Sequence, residues 1–117
     1  MPLVRIVSSA PRPNEDSVRQ LLGNLSRLLS REFDKPEQWV MTCLEAPAAM
    51  SFGGTFDPAC YVEVKNIGTM SPELARRVTA EVSRELAEHL GVPTRRIYVE
   101  LADAEAHLWG FDGDTFG

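Results

Sequence analysis

The chain has 117 residues, 44% of them hydrophobic and 25% charged, which fits one domain over residues 1–117 that buries roughly two thirds of its unfolded surface. A formal net charge of -5, from 17 acidic and 12 basic residues with no basic run, argues against nucleic acid as a partner, because phosphate neutralisation needs clustered cations. Neither a charged-then-apolar leader nor a membrane-length apolar run is seen, so no membrane partner is expected and cytoplasmic residence is the default.

The first element is a strand, Leu3 to Val7, running directly from Met1-Pro2. Proline is small enough at the second position for the methionine to be removed, leaving a secondary amine that can take and release a proton. An ordinary α-amino group titrates at about 7.7 to 8.0. Desolvation or a nearby cation would lower the proline nitrogen toward neutral pH, since both disfavour its charged form.

Ser8 to Pro13 reads as a polar turn, and Asn14 as the cap of a helix whose Val18, Leu21, Leu22, Leu25, Leu28 and Leu29 recur at three and four. Asp34-Lys35-Pro36 ends it, because a residue before proline is pushed out of helical geometry. Trp39 to Glu45 reads as a second strand, and Ala46 to Pro58 as a loop containing Gly53-Gly54. From Ala59 the chain is strand again: Cys60, Val62 and Val64 point one way, Tyr61, Glu63 and Lys65 the other, and Asn66-Ile67-Gly68 closes the run.

Ser71-Pro72 starts a second helix, Leu74, Val78, Val82, Leu86 and Leu90 form its stripe, and Gly91 with Pro93 stops it. Arg96 to Leu101 is the next strand, with Tyr98 and Glu100 on the face opposite Ile97, Val99 and Leu101. The aromatic tail, Leu108 to Gly117, is too short to fold alone and is expected to add to a sheet edge. Cys43 and Cys60 lack metal or redox spacing and read as core residues, and His89 and His107 as surface side chains. The order predicts an α+β fold of duplicated β-α-β units, a four-stranded mixed sheet with both helices on one face. Self-association would cover the other face.

Pro2, Lys35-Pro36, Met50-Ser51-Phe52-Gly53-Gly54, Asn66-Ile67-Gly68, Arg96-Ile97-Tyr98-Val99 and Thr115-Phe116, in this order and spacing, resemble the macrophage migration inhibitory factor branch of the tautomerase superfamily. Lys35-Pro36-Glu37, Cys60 to Lys65 and Leu108-Trp109-Gly110 look especially like microbial members. The resemblance implies a homotrimer whose three sheets form a barrel, with a pocket at each subunit boundary. It further implies phenylpyruvate keto-enol tautomerase activity on a small aromatic 2-oxo acid or its enol, needing no metal or organic cofactor, and by analogy allows non-classical secretion.

Carried over by position, Pro2 is the base, Lys35 meets the substrate carboxylate, and the Ile67 backbone bonds the substrate. Tyr98 of an adjacent subunit lines the pocket, with Trp109, Phe111 and Phe116 around the substrate ring. Enolisation asks for these parts: a base near the working pH, a cation for developing charge and an apolar slot. Two departures stand out. Glu100 replaces an asparagine of the mammalian cytokines, which puts tautomerase efficiency in question and opens a hydratase or dehalogenase alternative in which the carboxylate activates water. The family's Cys-x-x-Cys is absent, since Ala59 and Val62 hold its positions, so thiol oxidoreductase activity is not expected. A third alternative is a cytokine-like binding protein with a vestigial pocket.

Overall fold

The computed structural model describes residues 1–117. Strand β1 (Leu3–Ser8) alternates, with Val4, Ile6 and Ser8 buried; a period of two is what a sheet covered on one side requires. Helix α1 (Glu15–Phe33) begins where Asn14 Oδ1 accepts from the Ser17 N–H at 2.9 Å, and Glu15 and Asp16 suit the positive end of its dipole. It stops at Asp34, in the left-handed region at φ 52°. A 3-10 turn (Glu37–Trp39) then leads into β2 (Met41–Glu45).

The plan repeats with β3 (Cys60–Ile67), α2 (Pro72–Leu90), a 3-10 turn (Thr94–Arg96) and β4 (Ile97–Ala104). Ser71 Oγ accepts from the Leu74 N–H at 3.1 Å, and the left-handed Gly91 (φ 68°) ends α2. The sheet order is β2-β1-β3-β4, parallel within each β-α-β unit and antiparallel where β1 meets β3. Both helices cover one face. Leu21, Leu25 and Leu29 of α1 and Val78, Val82 and Leu86 of α2 pack with Val4, Ile6, Val62 and Val64 in one buried cluster. Full burial of one such side chain stabilises by about 1.5–3 kcal/mol. The Arg31–Glu81 (2.7 Å) and Arg77–Glu32 (2.9 Å) ion pairs tie the helices together at the surface and contribute less.

The opposite sheet face carries Arg5, which meets Glu45 at 2.9 Å and Glu63 at 3.5 Å, and Tyr61, whose hydroxyl donates to Glu100 Oε1 at 2.8 Å. No helix is long and apolar enough to cross a membrane.

Three local expectations are corrected. Trp39 lies in the 3-10 turn rather than at the start of β2, because Pro36 sets up a tight turn closed by Trp39 N–H to Pro36 O and Val40 N–H to Glu37 O, both 3.0 Å. Cys43 is half-buried on the open face opposite Arg5, since β2 turns Leu44 inward instead; Cys60 is buried as expected. The tail pairs with itself: β5 (Gly110–Phe111) and β6 (Asp114–Thr115) form a separate hairpin. Its turn residues Asp112 (φ 50°) and Gly113 (φ 83°) are both left-handed, the conformation Asp-Gly favours in a two-residue hairpin.

Candidate active site

Pro2 precedes β1, and its ring is fully buried while its carbonyl accepts from the Met41 N–H at 3.1 Å. That bond fixes the terminus against the start of β2. Around it lies a cavity of about 410 Å3, in which Met1, Pro2 and Leu3 meet Trp39, the backbone turn before β2, and Trp109, Phe111 and Phe116. The hairpin supplies the lid: Trp39 stands edge-on to Phe111 (centroids 5.0 Å) and to Phe116 (6.1 Å), while those two rings stack at 5.9 Å. Edge-to-face and offset contacts of this kind each add about 0.5–1.5 kcal/mol beyond burial. The Phe116 N–H to Trp109 O bond, 3.1 Å, holds the tail folded back over the opening.

The electrostatics converge on the same point. Lys35 follows the left-handed Asp34, and its Nζ donates to the Ile67 carbonyl at 3.2 Å, so α1's end is pinned to the end of β3. Burial, and after it the Lys35 cation, holds the Met1 amine below its ordinary value. Both effects disfavour an ammonium. Larger grooves of about 590 Å3 along α2 and about 690 Å3 beside β4 lack the terminal amine and Pro2, so chemistry rather than volume singles out the cavity at Pro2. Glu85, Glu88 and His89 converge on α2 as the one side-chain group with metal-ligand spacing, and none of them lines that cavity.

Of the residues named from the sequence, Pro2, Trp109, Phe111 and Phe116 line one cavity, and Lys35 and Ile67 are bonded to each other beside the terminus. Tyr98 and Glu100 stand elsewhere. Tyr98 pairs with Tyr61, which lies opposite Val7 at the far end of β1, most of a strand's length from Pro2 and on the order of 15 Å at about 3.3 Å per residue. Glu100 is level with Glu63 and Arg5, its carboxylate taken by Tyr61. His107 is exposed beside Glu105, whereas His89 is half-buried against Glu85.

Trp39 and Gln38 also line the cavity and were not singled out from the sequence. No local signal marks them: Lys35 and Pro36 are non-helical and only Glu37–Trp39 form a 3-10 turn, so helical spacing from Lys35 does not place Trp39.

Comparison with known proteins gives one answer along the chain. The family model described as macrophage migration inhibitory factor (MIF) matches residues 1–117. A macrophage migration inhibitory factor homolog of Brugia malayi is 32% identical over 117 residues, covering all of both chains. The crystal structure of the homologue from Prochlorococcus marinus superposes with a TM-score of 0.93 at 40% identity, covering 98% of this chain and 99% of that one. Leishmania major MIF2 gives 0.89 at 27% identity, covering 99% and 97%.

Proposed function

Because the chain belongs to the macrophage migration inhibitory factor family, we propose that it is a cofactor-independent keto-enol tautomerase of arylpyruvates, with Pro2 as its base once Met1 is removed. The observation that carries this reading is the buried terminus. In the untrimmed chain the Met1 amine, one residue from the Pro2 nitrogen, is held below its ordinary pKa by burial and then by Lys35; a trimmed Pro2 amine in the same aromatic-lined cavity would meet the same two influences, which is how a base comes to be free at neutral pH.

In the forward direction the Pro2 nitrogen takes a proton from the carbon next to the substrate carbonyl. The C–H electron pair becomes the carbon–carbon double bond, and the carbonyl oxygen takes up the negative charge and then a proton. In ketonisation the prolinium returns its proton to carbon while the enol oxygen gives one up. Lys35 meets the substrate carboxylate, the Ile67 backbone orients it, and Trp109, Phe111 and Phe116, joined by Trp39, enclose the aryl ring. The working unit is a homotrimer in the cytoplasm, in which Tyr98 and Glu100 reach a neighbour's cavity. Hydration or dehalogenation through Glu100 has less support, because the Tyr61 hydroxyl already occupies that carboxylate. No observation favours a signalling role with a vestigial pocket.

The test compares phenylpyruvate ketonisation by the trimmed chain, its intact mass verified, with that of a form retaining Met1. The trimmed form should turn over at least about 100-fold faster, the usual worth of a positioned base, with a rate that rises as the amine loses its proton. Equal rates in the two forms would remove Pro2 from the chemistry.

A further inference from the structure

We propose that Arg96 is a positioning residue, which through the Phe52-Gly53-Gly54-Thr55 turn fixes the Tyr98 ring for contact with the cavity of a second copy of this chain. The proposal rests on the tautomerase reading above and extends it to a part of the chain that reading leaves unused.

The turn comes first. Phe52 and Thr55 exchange backbone hydrogen bonds at 2.9 and 3.1 Å around Gly53 (φ 60°) and Gly54 (φ 77°). A Cβ at either glycine would meet nothing within 4 Å, so glycine is needed for its left-handed backbone and not for space. Arg96 then grips this hairpin. Its Nε donates to Pro58 O at 3.0 Å, Nη1 to Thr55 Oγ1 at 2.9 Å and Phe52 O at 3.4 Å, and Nη2 to Asp57 O at 2.8 Å and Thr55 O at 3.5 Å. No carboxylate is among these acceptors. The guanidinium therefore acts as a planar fork that matches carbonyl directions, a task a lysine cannot perform.

The same guanidinium lies 5.3 Å from the Phe52 ring centroid, and that ring is 4.8 Å from Tyr98, tilted by 48°. Cation, ring and ring form one stack. Its last member is 66% exposed and stands at the far end of the sheet from the Pro2 of its own chain. An exposed aromatic side chain backed this firmly has already lost the freedom that binding would otherwise remove, so a contact made by it is pre-organised. Only another copy can bring a Pro2 cavity to it.

The experiment measures kcat and KM for phenylpyruvate in trimmed wild type, Arg96→Ala, Tyr98→Ala and the double variant, with pH profiles. The expected result is a KM raised about 3- to 10-fold by Arg96→Ala, kcat within about twofold, the pH limb unmoved, and no further rise in the Tyr98→Ala background, because the two residues act as a unit. If Arg96→Ala does not fold, Arg96→Lys keeps the charge without the fork and should show the same split. An unchanged KM, or effects of the two substitutions that simply add, overturns the proposal and leaves the tautomerase reading standing. A wild-type chain with no activity overturns both.

Discussion

The two β-α-β units bring the chain to the same joint and put different side chains there. Each helix ends on a left-handed residue, Asp34 in the first and Gly91 in the second, followed by one residue, a proline and a 3-10 turn. Counted from these caps, Lys35 corresponds to Val92 and Trp39 to Arg96. In the first unit Lys35 reaches Ile67 and Trp39 faces Phe111 and Phe116. In the second, Val92 is wholly buried in the core and Arg96 ties down a loop. Backbone chemistry, the left-handed cap and the proline, sets the joint. What the joint does is decided by two side chains, which is why a fold alone never fixes a function.

Exchanging the residues probes this contrast. The largest effect is expected from Val92→Lys, which imports the first unit's cation into a site with no room in water: burying an unpaired ammonium should cost about 3 kcal/mol or more, seen as a lowered urea midpoint. The converse exchange, Lys35→Val, loses the Lys35–Ile67 bond and should lower that midpoint less, at a cost of about 1 kcal/mol. It should reduce kcat/KM for phenylpyruvate about 10- to 100-fold, the worth of one charge-assisted hydrogen bond. Its pH limb carries a sign as well. Burial and then Lys35 lower the pKa of the Met1 amine; with Lys35 acting the same way on the freed Pro2 amine, its removal raises that pKa and moves the rising limb to higher pH. A limb that stays put would mean that the cation binds substrate without tuning the base.

The smallest effect separates contacts within a chain from contacts between chains. The Tyr61 hydroxyl is pushed up to about 12, chiefly by its hydrogen bond to Glu100. Glu100→Asn removes the carboxylate, so phenolate absorbance should report a Tyr61 midpoint falling back toward the ordinary value near 10. If Glu100 also approaches a neighbour's Pro2, the same substitution lowers the amine pKa and moves the activity limb to lower pH by about a unit or less. A shift in Tyr61 with an unmoved limb confines Glu100 to its own sheet.

Much of the fold was legible because its signals are local. Leu21, Leu25 and Leu29 repeat at helical spacing, Ser71-Pro72 announces a helix start, and Cys60 to Lys65 alternates as a half-covered strand must. Pro2 and the tail aromatics could be named as neighbours only through the family resemblance, since nothing in their spacing links the two ends of the chain. Trp39 reads as strand because Val40 and Thr42 follow it, while the decisive influence is the turn opened by Pro36, whose carbonyl accepts from the Trp39 N–H. The tail was expected at a sheet edge because its length argued against independence. Asp112-Gly113 instead supplied a turn tight enough for two-residue strands, held down by contacts with Trp39. Cys43 shows the limit of composition: an apolar residue can fall on either side of a strand, and only register decides.

The cavity draws one wall from Met1 to Leu3 and its lid from Trp109 to Phe116, segments far apart along the chain. Neither segment makes a site alone, so the cavity exists only once the whole domain has folded.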